Sequence, residues 1–125
     1  MPQDLSHLSE RMLSQVLGGL VLTHYRSRHP SHPGLQLLRE FRLHGGTTAD
    51  FVIYDESRKQ PVAVFELVSS PKAMKDKLKQ LDQLHAYLSG GPAEFMIVVP
   101  ETAFNDPSIK KWAEERGVER VSYPG

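Results

Sequence analysis

Two carboxylates, Asp50 and Glu66, interrupt stretches that are otherwise almost wholly apolar, ADFVIYD over residues 49–55 and PVAVFELV over residues 61–68. Both stretches are rich in β-branched and aromatic residues, and the polar ESRKQ lies between them, which predicts a β-hairpin. If Arg58 is the centre of the turn, residue 50 stands directly opposite residue 66. Alternation then puts Asp50, Val52 and Tyr54 on one face with Val62, Val64, Glu66 and Val68, and Phe51, Ile53, Ala63, Phe65 and Leu67 on the other, against the core. Opposed like charges repel, and burying either is costly without compensation. A divalent cation would compensate. Mg²⁺ is typically held by one or two carboxylates, with waters and phosphate oxygens completing its shell. Such a centre lowers the pKa of a bound water and stabilises charge on a phosphate under attack. The competing reading is structural: Asp50 ends a turn and Glu66 pairs with a lysine of the following helix.

Elements must position these groups. DLSHLSERMLSQVLGG carries Leu5, Leu8, Met12, Leu13, Val16 and Leu17 at helical spacing, with Gly18-Gly19 as a stop. LVLTHYRSRHPSHPG either prolongs that helix or begins a short strand, then becomes a loop. LQLLREFRLH reads as a strand ending at a Gly45-Gly46 turn. Ser70 and Pro71 suit an N-cap and first helical residue. Met74, Leu78, Leu81, Leu84, His85 and Leu88 then mark one helix, ended by Ser89-Gly90-Gly91-Pro92. AEFMIVVPE reads as a strand, PSIKKWAEERG as a helix closed by Gly117 with Trp112 in the core, and VERVSYP as a last strand. The order is α-β-β-β-α-β-α-β, which predicts an α/β fold with a central mixed sheet flanked by helices.

The 125 residues amount to a single domain, 1–125. With 39% hydrophobic and 24% charged residues the composition is that of a globular protein. Fifteen basic residues balance fifteen acidic ones, so there is no global bias towards a polyanion. The absence of cysteine excludes thiol nucleophiles, disulfides and cysteine-held zinc. His29 and His32 lack a third ligand at suitable spacing, so zinc is set aside. With no signal peptide or long apolar run, a cytoplasmic protein without membrane association is expected.

Asp50, the fifteen-residue gap and Glu66-Leu67-Val68 after an apolar hairpin together resemble the PD-(D/E)XK nuclease superfamily, the restriction-endonuclease-like fold. Thr48-Ala49 stands where the degenerate first motif often has proline. Gln83-Leu84-His85-Ala86-Tyr87 is similar to the Q-x-x-x-Y helix of RecB-type and type I restriction nucleases, and the α-β-β-β-α-β order agrees with the core of that fold. The resemblance covers roughly residues 5–105. It implies a Mg²⁺- or Mn²⁺-dependent DNA endonuclease, with Asp50, Glu66 and the Leu67 carbonyl as metal ligands and Glu10 as a possible further one. Gln83 and Tyr87 would line the site. The motif lysine is missing, since position 68 is valine. In some members the lysine has migrated to the neighbouring helix, and Lys72, Lys75 and Lys79 form a stripe there, with Lys75 or Lys79 the expected stand-in. Arg26 and Arg28, in the one locally basic stretch that also holds an aromatic, are expected to contact DNA, together with Lys72. So small and neutral a domain is expected to work as a homodimer or as a subunit of a larger complex. The alternative is a catalytically degenerate module of the same fold that binds DNA or a protein partner. A third possibility is an unrelated α/β interaction domain with structural carboxylates.

Overall fold

The computed structural model describes Leu5 and residues 7–125. Helix α1 (Glu10–Arg28) opens where the Ser9 side chain accepts the N–H of Met12, and buries Leu13, Leu17, Val21 and Tyr25. Leu5 lies outside the helix, buried, with its N–H on the Pro124 carbonyl; residues 4 and 6 of the expected helix start lie outside the described residues. The helix does not stop at Gly18-Gly19 but runs nine residues further. The buried stripe continues through Val21 and Tyr25, and Gly18 is needed for another reason: a Cβ there would strike the Arg39 guanidinium and the Leu37 side chain. Glycine in a helix costs roughly 1 kcal/mol relative to alanine. Close approach of the next strand offsets that cost.

Five strands form one sheet in sequence order: β1 (Leu35–Arg42), β2 (Thr48–Asp55), β3 (Gln60–Leu67), β4 (Glu94–Pro100) and β5 (Glu119–Tyr123). The first three are antiparallel neighbours, whereas β3–β4 and β4–β5 are parallel. Helices α2 (Pro71–Asp76) and α3 (Leu78–Leu88) make the first crossover, and α4 (Pro107–Arg116), closed by Gly117 in the left-handed conformation, makes the second. The α/β architecture is therefore the expected one.

Both faces of the sheet are covered, as parallel strands require. Phe51, Ile53, Phe65 and Leu67 pack under α1. Val68, Ile97 and Val99 pack with Met74, Leu81 and the α4 residues Ile109 and Trp112, while Val52 and Val64 lie under Leu84 and Leu88 of α3. The face that bears Asp50 and Glu66 is thus a second core, not an open surface.

The expected hairpin register holds through Phe51↔Phe65, Val52↔Val64 and Ile53↔Ala63. It then shifts between Ile53 and Tyr54, so that Tyr54 faces Pro61. The extra residue in β3 turns Val62 over. Val62 joins Tyr25 and Ile53 under α1, which corrects its expected place beside Val64 and Glu66. The irregularity lies on the turn side of the carboxylates and leaves them opposed.

The helix expected from Ser70 to Leu88 is two helices. Ser70 caps the first as expected, accepting from Ala73 N, and the break falls at Lys77, with φ −109° and ψ 17°.

Candidate active site

Asp50 enters the site from the start of β2 and Glu66 from the end of β3. Beyond the Phe51↔Phe65 pair the strands are joined through side chains. The Asp50 N–H donates to Glu66 Oε1 at 2.7 Å, and the Leu67 N–H donates to Asp50 Oδ2 at 2.8 Å. Each carboxylate thereby holds the backbone of the other's strand.

Lys77 completes the cluster. Its Nζ donates to the Leu67 carbonyl at 2.7 Å and lies 3.4 Å from Asp50 Oδ2 and 3.6 Å from Glu66 Oε2. Glu66 has no exposed surface, whereas the Lys77 side chain is 19% exposed. Burial pushes the Glu66 carboxyl up to about 8, the neighbouring Asp50 charge pushes it the same way, and the Lys77 ammonium opposes both. Glu66 Oε2 is a buried oxygen with no hydrogen-bond partner among the described residues. Gln80, one helical turn after Lys77, donates to the Thr48 carbonyl at 2.7 Å and fixes α3 to the start of β2.

A cleft of about 550 Å³ opens onto Asp50 and Leu67 and is otherwise lined by α1 residues, including Glu10 and Arg11, and by Arg39 and Glu40 of β1. Glu10, expected as a possible further ligand, is exposed and lines the same cleft as Asp50 and Leu67. Glu40 was not anticipated. Flanked by the pairs Arg39↔Phe51 and Phe41↔Ala49, it stands across from Asp50 with φ +48°, a left-handed conformation that glutamate rarely adopts. Such strain costs of order 1–3 kcal/mol and clusters at functional sites.

The helix lysines need correction. Lys72, Lys75 and Lys79 are exposed and make no ion pair among the described residues. They sit on the solvent side because the sheet-facing side of this segment is set by Met74, Leu81 and Leu84. Lys77, three residues after Met74 and four before Leu81, shares that inner face. A lysine in an apolar stripe was the available signal.

Gln83 is exposed, and Tyr87 lies against Gly45 in a separate cavity walled by Phe41, Leu43, Pro61 and Leu88. At 1.5 Å per residue, Tyr87 is about 15 Å along the helix from Lys77. The arginines are further away: α1 separates Arg26 and Arg28 from Glu10 by about 24–27 Å. Arg26 is exposed, and Arg28 forms a two-armed pair with Glu119, both contacts 2.5 Å. The structure thus joins Asp50, Glu66 and Leu67, places Glu10 on the cleft that opens onto Asp50 and Leu67, and keeps Gln83, Tyr87, Arg26 and Arg28 apart from them.

A second polar cluster, also unanticipated, closes the hairpin turn. Buried Asp55 accepts from Ser57 N, Ser57 Oγ and Arg58 N, and meets His32 Nε2 at 2.8 Å. These bonds, Ser57 first and His32 next, hold its carboxyl well below the usual range. His29 faces Glu94 rather than a metal-ligand set, and no group of three His, Cys, Asp or Glu side chains suited to a metal exists among the described residues.

No protein-family model matches the chain, and no curated protein matches its sequence. Two solved endonucleases resemble it. One is a repair endonuclease from Pyrococcus abyssi, 20% identical, aligned over 86% of this chain and 47% of that one with a TM-score of 0.43. The other is EndoMS in complex with double-stranded DNA, 16% identical, aligned over 86% and 45% with a TM-score of 0.44. The chain therefore spans about half the length of the solved chains it resembles. Among the described residues no helix is long and apolar enough to cross a membrane.

Proposed function

We propose that the domain is a metal-dependent DNA endonuclease of the PD-(D/E)XK kind, with Lys77 in the role of the motif lysine lost at Val68. The supporting observation is the convergence of Asp50 Oδ2, Glu66 Oε2 and the Leu67 carbonyl within 3.6 Å of one point, the position of Lys77 Nζ. These are hard oxygen donors of the sort Mg²⁺ and Mn²⁺ prefer. The orphaned Glu66 Oε2 is a buried acceptor that a cation would satisfy. The donor set fits.

Asp50, Glu66 and the Leu67 carbonyl would hold the ion, and Glu10 would reach it through water from the cleft rim. The ion would supply a water of lowered pKa and charge stabilisation at the phosphate. The chain does the remainder. The reciprocal backbone bonds fix both carboxylates before any ligand arrives, so no reorganisation is required during reaction. Lys77, delivered from the helix break, places a cation beside the reacting phosphate. The α3 core keeps Glu66 dry, which strengthens every charge interaction around it.

A second reading has its own support. Lys77 already sets one positive charge against Asp50 and Glu66, as a retired nuclease kept for DNA or partner binding could require. Calorimetric titration of Mn²⁺ and Mg²⁺, with nicking of supercoiled DNA, separates the two in wild type and in Asp50→Asn/Glu66→Gln. Binding and nicking that both vanish in the double variant support the nuclease. Carboxylate-dependent binding without nicking selects the retired module, and no carboxylate-dependent binding removes the metal site.

A further inference from the structure

We infer that Lys77 is a displaceable latch: in the metal-free protein its ammonium fills the place of the divalent cation, and cation entry drives it out. The inference rests on the metal-site reading above and adds how that site is controlled. The ammonium lies among the same three oxygens that would bind the ion. Like charges cannot share that space, so the two cations compete.

The geometry shows a loose occupant. Only the bond to the Leu67 carbonyl, 2.7 Å, has ordinary length. The 3.4 Å approach to Asp50 is long and the 3.6 Å approach to Glu66 is no hydrogen bond, so Glu66 Oε2 has no partner among the described residues. A dication brings twice the charge and oxygen contacts of about 2.0–2.1 Å, and so outcompetes a single ammonium in this position. Lys77 is also built to move. It lies at the junction of α2 and α3, its side chain is not sealed from solvent, and its flexible four-carbon stem carries the charge. Released, the ammonium remains beside the site where a phosphate would sit. The same residue then serves two states in turn, countering the Asp50 charge before the metal arrives and facing substrate charge afterwards.

Lysine removal should therefore tighten metal binding, the reverse of what a simple ligand would do. The first measurement is calorimetric titration of Mn²⁺ into wild type and Lys77→Met, which keeps the alkyl packing. At least tenfold tighter binding in the folded variant is expected; equal or weaker binding overturns the latch. The second uses wild type alone: brief acetylation with an N-hydroxysuccinimide ester, with and without saturating Mg²⁺, read by mass spectrometry. Lys77 should become several-fold more reactive with metal while Lys72 and Lys75 stay constant, and an unchanged Lys77 overturns the inference even if the variant fails to fold. If wild type binds metal and Lys77→Met binds it no better, the latch alone falls. If neither binds any, the metal site falls and the latch with it.

Discussion

The Asp50 N–H lies 2.7 Å from Glu66 Oε1, and the Leu67 N–H returns to Asp50 Oδ2 at 2.8 Å, so two side chains take over where the β2–β3 pairing ends. The strands are still clasped, but the hydrogen bonds now depend on the protonation and position of two acids. A site built in this way is rigid and charged at once, and several outcomes follow from it.

Lys77→Ala should lower the rate of DNA nicking by about 10²-fold or more, the usual scale for losing one preorganised electrostatic group. Lys72→Ala, Lys75→Ala and Lys79→Ala, all on exposed positions, should each stay within about threefold of wild type. Single-turnover cleavage at saturating Mg²⁺ compares the four. A larger loss at Lys75 or Lys79 than at Lys77 would return the role to the exposed stripe.

Glu66 makes metal-free stability fall with rising pH. The carboxyl ordinarily titrates near 4.5, and in the fold it is pushed up to about 8, mainly by burial. Between those values the folded state holds a proton that the unfolded state has lost. Stability is therefore full below about 4.5 and declines as pH rises through about 8, with a slope of at most about 1.4 kcal/mol per pH unit. Urea melts from pH 5 to 8.5 should show the decline, Glu66→Gln should flatten it, and saturating Mg²⁺ should reduce it. A slope unchanged in Glu66→Gln would place its origin elsewhere.

The two adjacent glycines of α1 should respond in opposite directions. Gly18→Ala forces a methyl towards the ends of the Arg39 and Leu37 side chains, and should cost up to about 1 kcal/mol as Arg39 shifts off the Ser14 and Gln15 carbonyls. Gly19 faces open space, so Gly19→Ala should be neutral or stabilise by up to about 1 kcal/mol. Chemical denaturation of the pair checks both signs.

Tyr87→Ala and Gln83→Ala should leave metal affinity and nicking within about threefold of wild type, because neither side chain reaches Asp50, Glu66 or Lys77. The Tyr87 variant should instead loosen the β1–β2 turn that its ring covers at Gly45. Amide exchange over residues 43–47 reports that loosening. A selective loss of cleavage would bring the Q-x-x-x-Y pair back to the site.

Most of the architecture was legible because it follows from local rules. The apolar runs of β2 and β3, the Ser70 cap with Pro71 behind it and the left-handed Gly117 each carry their reason in a few neighbouring residues. A turn centred on Arg58 predicts the opposition of Asp50 and Glu66, but the alignment next to the turn differs from it by one residue, and it is the bulge at Val62 that restores the opposition. The rest depended on tertiary contact. The passage of α1 through two glycines reflects β1 pressing on Gly18, and nothing near Gly18 in the sequence signals that contact. Lys77 was hidden by a choice of face. The spacing of Lys72, Lys75 and Lys79 marks a basic stripe and makes Lys75 or Lys79 the expected stand-in, whereas the lysine that reaches the acids is the one aligned with Met74 and Leu81. Glu40 gave no signal, because a strained backbone leaves no mark on residue type.

The β-bulge between Ile53 and Tyr54 acts as an expansion joint. Beyond it, towards Glu56–Lys59, the hairpin follows one alignment; before it, towards Asp50 and Glu66, it follows another. Changes in loop length or sequence at the far end can be absorbed at the joint rather than transmitted as a one-residue slip, which would carry Glu66 to the opposite face of the sheet. The outer turn, tied to Asp55 through Ser57 and Arg58, thus keeps one alignment while the two acids keep another.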